Sequence, residues 1–147
     1  MKKFLLKTTP ILAAALLFAG TTLFAGCEKD NHSISITEIV PPDCIYEKLG
    51  SEHLAIINSQ KDYEDFFSGC SGETLGIDFQ KQTLFLLWGT GTHCVLDKTI
   101  LLEKNGKDCL LTISVFQGDC PSMETWDAFF VTEKLNAKVS LVIHKMS

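Results

Sequence analysis

The sequence predicts an α+β fold, mainly antiparallel sheet or sandwich with one short helix packed against it. Three observations carry this. Apolar and polar residues alternate at period two through several segments, the spacing that turns one face of a strand toward a core. Asn105-Gly106 lies between two such segments and is the strongest short hairpin signal. Only residues 59–69 combine helical spacing with a signal at each end.

Taken in order, Ser33-Ile34-Ser35-Ile36-Thr37 alternates and predicts the first strand, which Pro41-Pro42 stops. Leu54-Ala55-Ile56-Ile57 is a short apolar run. Ser59 then caps a helix, with Asp62 three residues on as in a capping box. Tyr63, Phe66 and Phe67 share one helical face, and Gly69 marks the stop about two turns later. Residues 82–88 form an apolar run bounded by Gly89 and Gly91, which predicts a central strand buried on both faces. Residues 99–103 and 108–116 flank the turn. A type I′ turn centred on Asn105-Gly106 requires positive φ at both residues. It puts Leu111, Ile113 and Val115 on one face, with Thr112 and Ser114 on the other. Residues 126–132 and 139–144 complete the set, with Val139, Leu141 and Ile143 facing opposite to Ser140 and His144.

Ahead of these elements, Lys2, Lys3 and Lys7 precede an apolar stretch from Ile11 to Phe18 and then Leu23-Phe24-Ala25-Gly26-Cys27. A charged start, a short apolar middle and small residues before a cleavage point make a secretory signal, and the run is too broken to predict a membrane span. Leu23-Phe24-Ala25-Gly26-Cys27 resembles the lipobox of bacterial lipoproteins, with Phe24 where the family prefers Leu. The resemblance implies removal of residues 1–26 and acylation of Cys27. The lipid bilayer is then a partner held through Cys27, since several acyl chains at about 0.8 kcal/mol per buried methylene anchor firmly. Residues 27–33 read as a lipidated tether and 34–147 as a single β-rich domain. Glu28-Lys29-Asp30 resembles the short signal that sends some Bacteroidetes lipoproteins to the outer face of the outer membrane. The expected location is the bacterial outer membrane, lipid-anchored, surface-exposed or facing the periplasm.

The leader holds three of the 13 Lys and none of the 18 acids, so 10 Lys stand against 18 acids after it, a formal charge of −8. No Arg occurs anywhere. A basic cluster for phosphates and Arg for base edges are both missing, which excludes nucleic acid as a partner.

With Cys27 acylated, Cys44, Cys70, Cys94, Cys109 and Cys120 remain, an odd number in an exported chain that permits disulfides. The Asn-Gly register sets Cys109 opposite Leu102 on the face of Leu111 and Ile113, so Cys109 is the expected free, buried thiol. The same count brings Cys94 near residue 117, within loop reach of Cys120. Cys44 and Cys70 flank the helix. The expected bridges are Cys44–Cys70 and Cys94–Cys120. No C-x-x-C spacing points to redox chemistry, and the four His show no ligand spacing, so no metal and no cofactor is expected. Trp88-Gly89-Thr90-Gly91-Thr92 lacks the lysine and following helix of a phosphate loop and reads as a strand-ending turn. Gly69-Cys70-Ser71-Gly72 misses the nucleophile elbow by one place. No catalytic residues are expected, and the chain does not read as an enzyme.

Ile56-Ile57-Asn58-Ser59, a helix ending at Cys70, Ile77-Asp78-Phe79, the strand from Thr83 to Trp88 and the segment from Trp126 to Leu135 together resemble small Bacteroidetes envelope lipoproteins. More distantly they are similar to the C-terminal domain of PrcB-like protease-complex proteins. The likeness covers residues 54–144 and implies a stabilising or accessory module with an envelope protein partner. Asp78 and Phe79 read as a turn former and a core residue. Phe129 and Phe130 are adjacent on one strand and cannot share a face, so one needs a second covered face or a partner. Trp126, Phe129 and Phe130 are therefore the partner-binding candidates, expected as an exposed aromatic patch. The function expected is a membrane-anchored, non-catalytic, protein-binding or complex-stabilising lipoprotein. The alternatives are a glycan-binding accessory or a hydrolase whose site is assembled only in the fold.

Overall fold

The computed structural model describes residues 32–48, 54–70 and 75–147. The signal, Cys27 and its lipidation lie outside them. Among the described residues eight strands form two four-stranded sheets. Sheet A has the order β1 (His32–Ser33), β5 (Val95–Asn105), β6 (Asp108–Gln117), β8 (Val139–Met146). Sheet B has the order β2 (Ile36–Glu38), β7 (Thr125–Glu133), β4 (Gln82–Thr90), β3 (Leu54–Ile57). The same residues hold one α-helix, α1 (Gln60–Phe66), and a 3-10 helix (Asp43–Glu47). The sheet-rich α+β class follows.

Sheet B is apolar on both faces. β4 reads Leu84-Phe85-Leu86-Leu87, all fully buried, because neighbours lie on both edges and layers on both faces. Phe85 and Leu87 join Trp126, Ala128 and Phe130 of β7 and Leu102, Leu111, Ile113 and Val115 of sheet A in one apolar cluster. Phe85 stands directly opposite Phe130, their rings stacked 4.9 Å apart at 6°. Such a pair contributes about 0.5–1.5 kcal/mol beyond its buried area. Leu84, Leu86, Phe129 and Val131 point the other way and meet Ile45 of the 3-10 helix and Tyr63 and Phe67 around α1. This small layer forms where the sequence signals a helix. Ser59 is the N-cap, its side chain accepting from the Asp62 amide, and Gly69 beyond the end has φ 82.

Sheet A alternates cleanly. Leu102, Cys109, Leu111, Ile113 and Val115 are buried toward sheet B, while Leu101, Phe116, Val142 and Met146 are exposed. Three expectations are corrected here. Asn105 pairs with Asp108, so the two-residue loop is Gly106-Lys107 rather than Asn105-Gly106, and only Gly106 has positive φ (66). Gly alone at the first central position is the type II′ pattern, which spares Asn105 a left-handed backbone. The register moves by two residues, so Cys109 faces Lys104 and Leu111 faces Leu102. An even slip keeps every side chain on its expected face. Second, β6 and β8 run parallel, from Cys109↔Val139 to Phe116↔Met146. After β6 the chain crosses to sheet B as β7 and returns, and two reversals restore the original direction. Third, the first alternating segment is two strands. β1 pairs with β5 and β2 with β7, so the chain changes sheets at Ile34-Ser35. Ile34 and Ile36 still pack on the shared cluster, as the alternation requires. β1 also begins at His32, inside the stretch read as tether.

Gly89 does not end its strand. It lies inside β4 opposite Trp126, and a Cβ there would come 2.5 Å from the indole ring. The missing side chain is what lets Trp126 lie flat over β4.

A polar staple ties the corner where β3, β4 and β7 meet. The Thr83 hydroxyl, fully buried, donates to Asn58 Oδ1 (2.6 Å) and accepts from the Leu135 amide (2.9 Å). Lys134 Nζ donates to the carbonyls of Asn58 and Phe79. Burial of these groups is tolerated because each has found a partner.

Candidate functional site

The cysteines fall as expected. Cys44 and Cys70 are bridged with Cα atoms 5.6 Å apart, Cys94 and Cys120 with Cα atoms 5.7 Å apart. Cys109 is free and buried, and burial pushes its thiol above the usual range. Burial outweighs the charge of Lys104 opposite Cys109, which acts to lower the thiol, and the thiol serves as packing.

The aromatic patch is corrected. Trp126, Phe129 and Phe130 are 5%, 4% and 0% exposed. Adjacent Phe129 and Phe130 do face opposite ways, and each face is covered from within the chain: Phe130 by sheet A, Phe129 by the helical layer. Sequence reasoning placed the helix against a sheet but missed the 3-10 helix beside it, whose fully buried Ile45 has no helical period to reveal it.

Two surface clefts are lined by described residues. One, of about 330 Å³, is lined by residues 95–98 and 124–127. Its carboxylates are engaged: Glu124 accepts from the Val95 amide, and Asp127 accepts from the Tyr46 hydroxyl at 2.7 Å and pairs with Lys98 at 3.4 Å. The Asp127 hydrogen bond, burial and the nearby carboxylates push Tyr46 up to about 12. The second, of about 410 Å³, lies between the start of α1 and residues 77–80. There Asp78 accepts from the Gln80 amide and pairs with Lys81 at 3.1 Å, which lowers its carboxyl, while Phe79 packs 5.6 Å from Tyr63. Both residues do turn and packing work. Neither cleft sets a nucleophile beside a base. Among the described residues no group of three or more His, Cys, Asp or Glu could hold a metal ion.

What stands open is the outer face of sheet A. Register lays it out in rows across β5, β6 and β8: Glu103-Leu110-Ser140, Leu101-Thr112-Val142, Thr99-Ser114-His144 and Asp97-Phe116-Met146. Leu101 is 43% exposed, Met146 38%, and Phe116 and Val142 37% each. Four large apolar side chains thus share one uncovered sheet face, around a floor of Thr112 and Ser114. Phe116 and Met146 are direct neighbours, while Leu101 and Val142 flank Thr112 two rows away, so the apolar side chains recur across a face that is otherwise polar. The alternation was legible in the sequence. That none of the described helices covers this side was not.

Comparison with family models, with curated proteins and with solved structures finds no match in any of the three.

Proposed function

We propose that the chain is an exported lipoprotein, anchored through acylated Cys27 in the outer membrane, whose β-rich domain is a non-catalytic docking module for an envelope protein. The two sheets stack in this reading as a sandwich about their shared cluster. The observation that carries it is the open face of sheet A, where Leu101 and Val142 in one row and Phe116 and Met146 in another are exposed on the same side. The resemblance to PrcB-like protease-complex proteins adds the kind of role: an accessory within an assembly. Among the described residues no helix is long and apolar enough to cross a membrane; the anchor in this proposal is the lipid on Cys27. Trp126 is buried and offers no open indole face to a sugar ring.

The test is a crosslinked pull-down of the full lipidated chain from its native envelope, beside the double variant Leu101→Ser/Val142→Ser. A stoichiometric partner captured by the parent and lost by the variant is the expected result. A partner retained by the variant moves docking off this face, and no partner at all removes the docking reading. Cys27→Ser is expected to release the protein from the membrane fraction.

A further inference from the structure

The charges around the open face define its occupant. Positions of one parity on β5 and β6 share the outer side of sheet A, and those positions bring Asp97, Glu103 and Asp108 to it. The lysines of the same strands have the other parity or another engagement. Lys98 turns toward sheet B and pairs with Asp127. Lys145 donates to the Thr90 carbonyl. Lys104 stands opposite Cys109, on the inward side, and Lys107 belongs to the turn. The face therefore carries Asp97 and Glu103 on β5 and Asp108 at the turn end of β6, with Lys138, just before β8, beside Asp108 as its one neighbouring lysine; among the described residues none of the three acids is ion-paired.

We propose that this face binds a basic amphipathic helix of a partner protein, its apolar side on Leu101, Phe116, Val142 and Met146 and its Lys or Arg flank along Asp97, Glu103 and Asp108. This rests on the docking reading above and names the partner's chemistry. Dimensions agree. From residue 97 to 103 β5 runs about 20 Å, and three strands span about 10 Å. A 14-residue helix is about 21 Å long and about 10 Å across. The same charges disfavour two other occupants. A second copy of this chain would bring its own three acids against these, and an anionic lipid surface would be repelled. Opposite charge on a partner also steers its approach, with a strong dependence on salt.

The experiment uses the full-length chain in zwitterionic phosphatidylcholine nanodiscs. The probe is a 14-residue Leu/Lys peptide of helical spacing carrying a photocrosslinker, with a Leu/Glu peptide of the same spacing as counterpart and empty nanodiscs as blank. Expected are crosslinks on β5, β6 and β8, binding that weakens with salt, and at least about a tenfold loss of affinity in Asp97→Lys/Glu103→Lys. That variant is expected to gain the Leu/Glu peptide, while Leu101→Ser/Val142→Ser loses both. Unchanged thermal melting of both variants separates these effects from unfolding. Equal Leu/Lys affinity in the charge-reversed variant, or crosslinks confined elsewhere, overturns the inference. So does a concentration-dependent dimer that Leu101→Ser/Val142→Ser dissociates, which assigns the face to a second copy. If the native partner is lost by Leu101→Ser/Val142→Ser but kept by Asp97→Lys/Glu103→Lys, docking on this face stands and only the basic helix falls.

Discussion

The two sheets solve the same problem in different ways. Sheet B has helical cover on the face turned from sheet A, so its central strand is an unbroken apolar run and Phe129 and Phe130 can sit side by side, both buried. Among the described residues sheet A has cover on one face only, and its strands alternate accordingly, with Leu111, Ile113 and Val115 buried and Thr112 and Ser114 between them half-buried. The lesson is about where apolar side chains are needed for folding. On sheet B both faces are. On sheet A the outer Leu101, Phe116, Val142 and Met146 contribute little to a core, which leaves them available for contact with another molecule.

The largest expected effect tests that contrast directly. Phe129 and Phe116 are both phenylalanines on the outer face of their sheets, one 4% and the other 37% exposed. Phe129→Ala is expected to cost about 3–5 kcal/mol, since it leaves a cavity under the helical layer. Phe116→Ala is expected to cost about 1 kcal/mol or less. Urea unfolding of the two variants measures both, and equal losses would abolish the distinction between the sheets.

The disulfides sharpen it next. Each bridge spans a sequence separation of 26, so the unfolded-state contribution is the same, about 3–4 kcal/mol on chain-entropy grounds. Their native settings differ. Cys44–Cys70 fastens the 3-10 helix to the end of α1 over sheet B, whereas Cys94–Cys120 ties the start of β5 to the loop after β6. Cys44→Ser/Cys70→Ser is therefore expected to destabilise more than Cys94→Ser/Cys120→Ser, and to raise hydrogen exchange in β3. Identical unfolding curves would mean that packing of Ile45, Tyr63 and Phe67 holds the cover unaided.

The smallest effect concerns Tyr46, which touches both regions by packing against Phe129 and bonding Asp127 beside Lys98. Its hydroxyl is raised from 10.0 to about 12, first by the hydrogen bond to Asp127. A raised folded value means the native state holds the proton more tightly. The stabilisation is present in full below pH 10.0 and is lost as pH rises through about 12. Because the side chain is half exposed, the loss is modest. Ultraviolet titration of the phenol, differenced against Tyr46→Phe, should show the transition fall back toward 10.0 in Asp127→Asn.

Much of this architecture is local and so is written in the chain. The Ser59 cap, the alternation of residues 108–116 and the apolar run at 82–88 each report their own environment, because period and capping depend on near neighbours. The pairing of cysteines was legible for the same reason: an even register slip leaves faces unchanged, and Cys109 stays inside whichever way the turn is centred. Tertiary structure decided the rest. Which sheet a strand joins depends on contacts distant in sequence, so the change of sheets at Ile34-Ser35 and the parallel β6–β8 pair left no local mark. Nor could the aromatic pair at Phe129-Phe130 announce what covers it, because an apolar side chain is satisfied equally by its own chain or by a partner. The open face with its three acids is the converse. Its residues look like the ordinary polar and mixed side of a strand in sequence, and only the assembled sheet brings them into one surface.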